Sequence, residues 1–166
     1  MADESLRADM SEAPERVVVR RLGLGDMDAA ARVHRVAFDE RLPWLTGLHT
    51  PDEDRAYFRT NVFTACEVWG AFDNDGLTGF IAYRDGWIDQ LYVLPDAQAS
   101  GIGSRLLSGA KAAFPVLSLW TFQRNAGARR FYEARGFSVV ELTDGARNEE
   151  KEPDVLYRWL RAQSVR

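Results

Sequence analysis

The sequence predicts an α/β fold, a single domain whose mixed, mostly antiparallel sheet of about seven strands carries about four helices on both faces. Length is the first reason, because 166 residues match one ordinary domain. Composition is the second, because 46% hydrophobic and 28% charged residues are typical of a globular chain and exclude a disordered or disulfide-dense one. The third is that segments with strand periodicity alternate along the chain with segments of helical spacing.

The first half of the chain predicts the order β-α-α-β-β-β. Consecutive valines at 17–19 begin a strand, and Asp26 is placed to cap a helix that ends before Pro43. Thr50, Pro51 and Glu53 form a start signal for a second helix that reaches about Asn61. Strands are then predicted at 67–72, 77–83 and 87–94, with a hairpin turn at 73–76.

The second half predicts the order α-β-α-β-β. A helix with apolar residues at helical spacing lies between a loop at 98–103 and Pro115. A strand at 116–122 leads to a helix at 126–135, which Gly136 ends, and strands at 137–142 and 155–160 complete the sheet. Residues 1–15 carry six charges and few apolar side chains, so we expect a flexible N-terminal tail there and the folded domain at 16–162.

Charge and cysteine content narrow the function classes. With 21 Lys and Arg against 25 Asp and Glu, the chain lacks the cationic excess of a general nucleic-acid binder. Cys66 is the only cysteine, so no internal disulfide can form, and no apolar run approaches the roughly 20 residues of a membrane helix. No cluster of His, Cys and Asp has metal-ligand spacing. We therefore expect a cytoplasmic protein with no metal, no nucleic-acid partner and no membrane partner.

A glycine-bearing loop joins a predicted strand to a predicted helix and has the composition of an anion site. Free backbone N–H groups at a helix start favour an anion, and glycine lets a phosphate approach the backbone. Arg105 and Lys111 are near enough in sequence to add positive charge. The loop is also compatible with a tight turn that needs glycine only for its geometry. Its residues are Gln98, Ala99, Ser100, Gly101, Ile102 and Gly103.

Two familiar phosphate loops are excluded by single residues. A dinucleotide fingerprint needs a third glycine where this chain has Leu106, which speaks against a flavin or nicotinamide site. A P-loop needs Gly-Lys-Ser or Gly-Lys-Thr where this chain has Gly103, Ser104 and Arg105.

Two motifs together resemble the GCN5-related N-acetyltransferase (GNAT) superfamily. The first is Pro95 followed by Gln98-x-x-Gly101-x-Gly103 at the start of a helix. The second is Asn125, then Ala128-Arg129-Arg130-Phe131-Tyr132-Glu133 and Gly136-Phe137. The predicted element order at 16–160 is also similar to that of the family. The resemblance implies an acyl-CoA N-acyltransferase (GNAT) fold, a GNAT acetyltransferase domain at 16–162, and acetyl-CoA as co-substrate.

The resemblance further implies that the strand at 87–94 splays from the strand at 116–122 and that the pantetheine arm pairs with the opened edge. Backbone groups of Leu91, Tyr92 and Val93 would hold the arm, with the Leu91 N–H facing the thioester carbonyl. Backbone N–H groups of the loop would bind the pyrophosphate, and the residues implied are Gln98, Ala99, Ser100, Gly101, Ile102, Gly103 and Ser104.

Several side chains acquire roles from the resemblance. Tyr132 is the candidate general acid for the departing thiolate, although a tyrosine there also suits the edge of a core. Asn125 is a candidate contact for the pantetheine arm and, from its position, a helix cap. Arg129 and Arg130 are candidates for the nucleotide phosphates, with a solvated helix face as the alternative.

The general base is the least determined residue. Strict alternation along 87–93 puts Trp87, Asp89, Leu91 and Val93 on one face. Asp89 would then be a carboxylate in an apolar strand, where burial would raise its pKa and make it a better base. A structural Asp that accepts from a buried donor is the alternative. Glu67 is a second candidate.

Residues for the acceptor are sparse. Trp44, Leu45, Leu48 and Trp87 suggest apolar walls, and His49 is a candidate acceptor contact, while His34 is expected to be a packed or surface residue. The charged stretch 144–153 is either a solvated loop or an attraction for a cationic amine.

The sequence is thus interpreted as an N-acetyltransferase that moves an acetyl group from acetyl-CoA to a primary amine, by direct attack in a ternary complex. Asp89 or a water it holds would accept the proton, Leu91 would polarise the thioester and Tyr132 would protonate the thiolate. A non-catalytic acyl-CoA-binding regulatory domain and a transferase of a different acyl group are the alternatives. The acceptor, small molecule or peptide, is left open, and a homodimer is compatible with the resemblance.

Overall fold

The computed structural model describes residues 16–164, so the predicted tail at 1–15 lies outside the described residues. Seven strands make up one sheet: β1 (Val18–Arg21), β2 (Glu67–Asp73), β3 (Gly76–Arg84), β4 (Trp87–Val93), β5 (Val116–Phe122), β6 (Ser138–Leu142) and β7 (Asp154–Leu160). Their order is β1-β2-β3-β4-β5-β7-β6. Only β4 and β5 pair in parallel, and the other neighbours are antiparallel. The predicted fold class is confirmed.

The helices are α1 (Met27–Arg41), α2 (Pro51–Tyr57), α3 (Phe63–Ala65), α4 (Ile102–Ala113) and α5 (Ala126–Glu133). Helices α1, α2 and α5 begin at the residues that the start signals indicate, and the short α3 was not predicted. Thr50 caps α2 by accepting a hydrogen bond from the Glu53 N–H at 3.1 Å. A π-helical segment (Phe58–Val62) joins α2 to α3, so one continuous helical rod extends beyond the predicted end at Asn61. Within residues 16–164, no helix combines the length and the apolar character needed to cross a membrane.

Asp26 does not cap α1, which corrects the prediction from sequence. Its carboxylate instead accepts two hydrogen bonds of 2.9 Å from the Arg20 guanidinium and one of 2.8 Å from the Gly23 N–H. These hydrogen bonds are charge-assisted and therefore strong. The Asp26 carboxylate would have to give them up in order to cap α1.

Apolar side chains are buried on both faces of the sheet. On one face, α4 and α5 cover a core that contains Leu107, Leu117 and Tyr157. On the other, α1 and the rod that begins with α2 cover a core that contains Phe58 and Phe80. The sheet is therefore a middle layer, and what decides the site is how its strands separate.

A β-bulge at Asp89 breaks the predicted alternation of β4. The register pairs Ala82 with Gln90 but Tyr83 with Ile88, which leaves Asp89 unpaired. An extra residue shifts the faces of the strand by one position. Ile88, rather than Asp89, therefore shares the α4 face with Leu91, and Asp89 is exposed. The predicted burial of Asp89 in an apolar strand is wrong for this reason.

Candidate active site

Strands β4 and β5 meet at one end only. Their sole paired position is Trp87 with Ser118, supported by the hydrogen bond from the Ser118 N–H to the Gly86 carbonyl at 2.9 Å. By contrast, β5 pairs with β7 along its whole length. The two strands therefore diverge towards their carboxyl ends, which is the splay that the family resemblance implied.

The opened edge of β4 directs backbone groups into the gap. The Leu94 N–H donates to the Thr78 carbonyl at 2.7 Å, which makes Val93 opposite Gly79 a non-hydrogen-bonded pair. Leu91 opposite Ile81 has the same character, because the two pair types alternate. The N–H and C=O of Leu91 and Val93 therefore point away from β3 and towards the gap.

Tyr92 follows the opposite rule, which corrects the expectation that its backbone faces the gap. Its register position opposite Phe80 makes a hydrogen-bonded pair, so its N–H and C=O are directed to β3. Its side chain contributes instead, because the ring lines the cleft described next.

The gap opens into one cleft of about 1600 Å³. We call the end formed by residues 98–104 and α5 the loop end, and the end walled by α1, α2 and residues 144–150 the helix end. Most of the predicted site residues line this cleft: Asp89, Leu91, Tyr92, Val93, Gln98, Ala99, Gly101, Gly103, Ser104, Asn125 and Tyr132. Ser100, Ile102 and Arg129 do not.

The loop end presents a row of free backbone donors. Among the hydrogen bonds of residues 16–164, none is donated by the backbone N–H groups from Ala99 to Ser104. The next N–H, that of Arg105, is the first to bond back to the loop, at the Gly101 carbonyl. The α4 dipole adds to the attraction of these groups for an anion. The side chain of Ile102 is buried in the core, so only its backbone serves the loop.

The shape of this loop depends on two left-handed residues. Ala99 has φ +60° and Gly101 has φ +85°, a region that residues with a side chain rarely occupy. Gly103 is needed for a different reason. A Cβ there would lie 3.0 Å from the Phe131 ring, so its absence lets α4 and α5 pack closely.

Two arginines that the sequence analysis missed supply positive charge at the loop end. The Arg135 guanidinium lies 3.7 Å from the centre of the Phe131 ring and donates to Ser104 Oγ at 2.9 and 2.7 Å. Arg41, from the last turn of α1, donates to Gln98 Oε1. Both line the cleft. No signal in the sequence marks them, because they reach the loop from distant elements.

The cations that the sequence did suggest lie elsewhere. Arg129 Nε donates to the Tyr157 hydroxyl at 2.9 Å, which holds the side chain away from the cleft. Arg105 donates to the Val17 carbonyl and Lys111 to the Arg135 carbonyl, each at 2.8 Å. Exposed Arg130 does not line the cleft either. The expected phosphate contact of Arg129 is thus corrected by its bond to β7.

Tyr132 is a buried tyrosine whose hydroxyl is free for a ligand. The residue is 7% exposed and packs against Phe131, Phe137 and Tyr157. Within the described part of the chain, its hydroxyl makes no hydrogen bond, yet the residue lines the cleft. Burial, with a smaller effect of Tyr92, raises the pKa of Tyr132 well above its ordinary value, so the hydroxyl keeps its proton.

Asn125 confirms its prediction as a helix cap. Its Oδ1 accepts a hydrogen bond from the Ala128 N–H at 3.1 Å and so begins α5. It also lines the cleft, where its amide N–H₂ is available to a ligand.

Asp89 lies where the cleft meets a second, smaller groove of about 470 Å³. Its carboxylate forms an ion pair with Arg84, with Nε at 3.0 Å, and accepts a hydrogen bond from Cys66 Sγ at 3.3 Å. Burial, together with the hydrogen bond to Asp89 and the charge of that carboxylate, raises the pKa of the Cys66 thiol to about 12. The other base candidate, Glu67, accepts from Trp69 and Tyr83 and lines neither space.

The helix end contains charged and polar side chains that are paired mainly with each other. Arg35 holds the buried Asp54 through two bonds of 2.8 Å and reaches Asp39 at 3.1 Å. His34 packs edge-on against Tyr92, with 4.7 Å between ring centres. Burial, assisted by the Arg35 charge, lowers the pKa of His34 to about 4, so the ring is neutral at neutral pH. The expectation of a packed histidine is confirmed.

Residues 144–153 form part of the cleft wall and are attached to the loop between α1 and α2. His49 bridges the two segments, with Nε2 at 2.9 Å from Glu149 and Nδ1 at 3.3 Å from Glu53. Of the predicted apolar walls, Leu48 lines the cleft and Trp87 lines the smaller groove. Trp44 instead stacks on Arg124 and donates to Glu152 Oε1 at 2.8 Å, which fastens the same two loops outside the cleft.

Comparison with known sequences supports a family assignment. The family described as "Acetyltransferase (GNAT) domain" matches residues 64–139. The chain is 31% identical over 100 residues to the peptidyl-lysine N-acetyltransferase YiaC of Escherichia coli, a match that covers 59% of this chain and 65% of YiaC. The curated relatives it matches are covered over 40% to 65% of their own length, which is less than two thirds.

Comparison with solved structures shows the same fold. The solution structure of YjaB from Escherichia coli superposes with a TM-score of 0.73 at 21% identity, covering 89% of this chain and 99% of that one. The PaiA N-acetyltransferase from Thermoplasma acidophilum, solved in complex with coenzyme A, superposes with a TM-score of 0.66 at 21% identity, covering 87% and 99%. Residues 64–139 match the GNAT family and the chain shares the fold of these solved structures, so the family match, the splayed strands and the fold together support membership of the GCN5-related N-acetyltransferase superfamily.

Proposed function

We propose that this protein transfers the acetyl group of acetyl-CoA to a primary amine within a ternary complex. The observation that carries the proposal is the continuity of one cleft, in which free backbone donors at the loop end lead along the opened edge of β4 to Tyr132 and on to the helix end. Acetyl transfer from acetyl-CoA needs an anion site for the pyrophosphate, an edge that holds the pantetheine arm and a reaction centre, in that spatial order.

The loop end fits the pyrophosphate of acetyl-CoA. Backbone N–H groups from Ala99 to Ser104 donate to the phosphate oxygens, and the guanidinium groups of Arg41 and Arg135 add charge. The pantetheine arm lies along β4, where Leu91 and Val93 direct backbone groups into the gap. The Val93 carbonyl already accepts from Gln98 Nε2 at 3.0 Å, so Leu91 is the main partner on this edge. The coenzyme A complex of PaiA, on the same fold, supports this assignment.

The reaction forms a C–N bond and breaks the C–S bond of the thioester. The Leu91 N–H donates to the carbonyl oxygen as negative charge develops on it. Tyr132 donates its hydroxyl proton in a hydrogen bond to the departing thiolate. Because burial raises the pKa of Tyr132, complete proton transfer to the thiolate is more unfavourable than in water, and the hydroxyl stabilises the thiolate mainly as a donor.

The amine must lose a proton before or during attack. Asp89 is our candidate acceptor of that proton, directly or through water, because it lines the cleft beside Leu91 and also opens to the smaller groove. Its exposure removes the argument that burial activates it, so its role depends on position alone. The proton then passes to solvent through the groove.

The acceptor we propose is a primary amine on an extended aliphatic chain, such as a lysine side chain. The helix end contributes five carboxylates to the lining of the cleft against two cations, and this excess of acidic groups attracts a cationic amine. The cations are Arg35 and Arg147, and the carboxylates are those of Glu53, Asp54, Asp144, Glu149 and Glu150. The name of YiaC, a peptidyl-lysine N-acetyltransferase, agrees with this class.

The first experiment compares thermal shifts with acetyl-CoA, CoA, ATP and NAD. A ligand at about a hundred times its Kd adds about 2.7 kcal/mol to the free energy of unfolding, which such a scan resolves. We expect a shift with acetyl-CoA and CoA and little with ATP or NAD. Release of the CoA thiol with an amine panel then tests turnover. Binding without thiol release for any amine would favour a regulatory acyl-CoA-binding domain, and no shift with either CoA species would overturn the proposal.

A further inference from the structure

We infer that Gln90 holds the acceptor amine, its carboxamide oxygen accepting a hydrogen bond from a primary amine at the junction of the cleft and the smaller groove. This inference rests on the acetyl transfer proposed above and names a residue that neither motif of the family contains.

The carboxamide oxygen of Gln90 is buried and has no hydrogen-bond partner within residues 16–164. Buried polar atoms are nearly always paired, because an unpaired acceptor loses its bond to water and gains nothing. An orphan acceptor beside a reaction centre is therefore explained most simply by a ligand that supplies the missing N–H.

The place of Gln90 is the inner end of a route from solvent. Five residues line both the cleft and the smaller groove, and Gln90 is one of them, with Tyr57, Ile88, Asp89 and Trp120. Gln90 immediately precedes Leu91, whose N–H faces the thioester in our proposal. An amine that enters by the groove therefore meets the Gln90 oxygen next to the carbonyl that it attacks.

The bulge at Asp89 determines which way Gln90 faces. Gln90 pairs with Ala82, whose side chain lies in the core beneath α1, so Gln90 shares that face with Tyr92 and His34. Within the part of the chain that the structure describes, His34 Nδ1 is also buried without a hydrogen-bond partner, and His34 lines the same cleft. Two unpaired polar atoms on one wall favour a small polar group as the occupant rather than an apolar one.

A neutral hydrogen-bond acceptor, such as the Gln90 carboxamide oxygen, suits an attacking amine better than a carboxylate does. A carboxylate at this point would stabilise the ammonium form, which has no lone pair for attack. A carboxamide oxygen orients the amine through one N–H and leaves its charge unaltered. Gln90 thus provides positioning, while proton removal is left to Asp89 or water.

The test compares Gln90→Leu and Gln90→Glu with Gln163→Leu, which changes an exposed glutamine outside both spaces. The probes are n-butylamine and a peptide with one lysine and a blocked amino terminus, followed by thiol release. For Gln90→Leu we expect an amine KM raised about tenfold, an unchanged acetyl-CoA KM and an unchanged or higher Tm, since an orphan acceptor is removed. For Gln90→Glu we expect the pH–rate profile to move to higher pH. Gln163→Leu should behave as the wild type.

The outcomes separate this inference from the function beneath it. A wild-type protein that binds acetyl-CoA and releases thiol, with a Gln90→Leu variant of unchanged amine KM, would overturn the role of Gln90 alone. A lower Tm for Gln90→Leu would also count against it, because the oxygen would then have a structural partner. If acetyl-CoA binds but no probe is acetylated, binding of n-butylamine to the CoA complex by NMR decides, and binding independent of Gln90 overturns the inference. Absence of any CoA binding overturns the proposed function, and the inference with it.

Discussion

The loop end and the helix end of the cleft are built from different parts of the chain. At the loop end, the ligand-facing groups are mostly backbone N–H groups of residues 99–104, held by φ angles of +60° and +85°. At the helix end, they are side chains from α1, α2 and residues 144–150, held by ion pairs such as Arg35–Asp54. One end depends on the course of the main chain and the other on the identity of individual residues.

This difference separates what the family shares from what this protein selects. Backbone donors place few demands on side chains, so a loop of this shape can recur in chains with little sequence identity. Side-chain contacts across several elements change with each substitution. We therefore expect changes to the backbone of the loop end to abolish binding of acetyl-CoA. Side-chain changes at the helix end should alter which amine is acetylated or how fast it is acetylated.

The largest effect should come from Gly101→Val. A branched residue is strained at φ +85°, and the loop would turn its N–H groups away from the phosphate. Loss of two charge-assisted bonds together with this strain predicts a Kd for acetyl-CoA weakened roughly 1000-fold by calorimetry. Gly109→Val is the matched control, because that glycine lies inside α4 with open space around it and should bind acetyl-CoA normally. Equal affinities of the two variants for acetyl-CoA would contradict the proposal that backbone N–H groups form its binding site.

The Tyr132→Phe variant tests the one side chain that we propose to act on the departing thiolate of acetyl-CoA. The ring keeps its packing against Phe131 and Phe137, while the substitution removes the hydroxyl that we propose to face the thiolate. We expect kcat to fall about 100-fold with little change in the acetyl-CoA KM, since the bond matters most in the transition state. Stability should be unchanged, because the hydroxyl has no bond to lose within residues 16–164. A kcat close to the wild type would show that Tyr132 only packs.

The Asp89→Asn variant tests the residue that we propose to receive the amine proton, between the loop end and the helix end of the cleft. We expect kcat to fall about tenfold if the carboxylate receives the amine proton, because the variant lacks that base. Arg84→Gln is the control, because it breaks the same 3.0 Å ion pair but keeps the carboxylate. Similar losses in both variants would indicate that the ion pair positions the bulge and that another group takes the proton.

The smallest effect should be the pH dependence of the attachment between α2 and residues 144–150. Contacts to Glu53 and Glu149 raise the pKa of His49. A raised pKa contributes stability below the ordinary histidine pKa of about 6.5, and this contribution is lost as the pH rises through the folded value. Hydrogen exchange at 146–150, corrected for intrinsic rates, should be roughly threefold slower at about pH 6 than at about pH 8, as for a surface ion pair. His49→Gln should remove this dependence, and its persistence would assign the effect to another group.

Local signals predicted the elements well because their causes are local. Thr50 caps α2, Asn125 caps α5, and the two-residue turn at 74–75 joins β2 and β3 within the predicted span 73–76. Each feature depends on hydrogen bonds or steric limits within a few residues. The prediction that Asp26 caps α1 was wrong because Arg20, six positions away, binds the Asp26 carboxylate instead.

The site was harder to predict where contacts are distant. Arg41 reaches Gln98, and Arg135 reaches Ser104, across sequence separations that no motif encodes. Arg129 stood in a motif but bonds to Tyr157. The bulge at Asp89 arises from the register between β3 and β4, and strict alternation could not anticipate it.

By itself, the sequence determined the class of fold, the positions of most helices and strands, and the loop whose glycine permits a phosphate-binding course. These follow from periodicity, capping and backbone sterics, which act over a few residues. Only the tertiary structure decided that Asp89 turns outward and that, among the described residues, Gln90 is left with an unpaired oxygen where the cleft and the groove meet. Those features depend on strand register and on packing between elements far apart in the chain, where small differences in fit decide which side chain is buried and which is free.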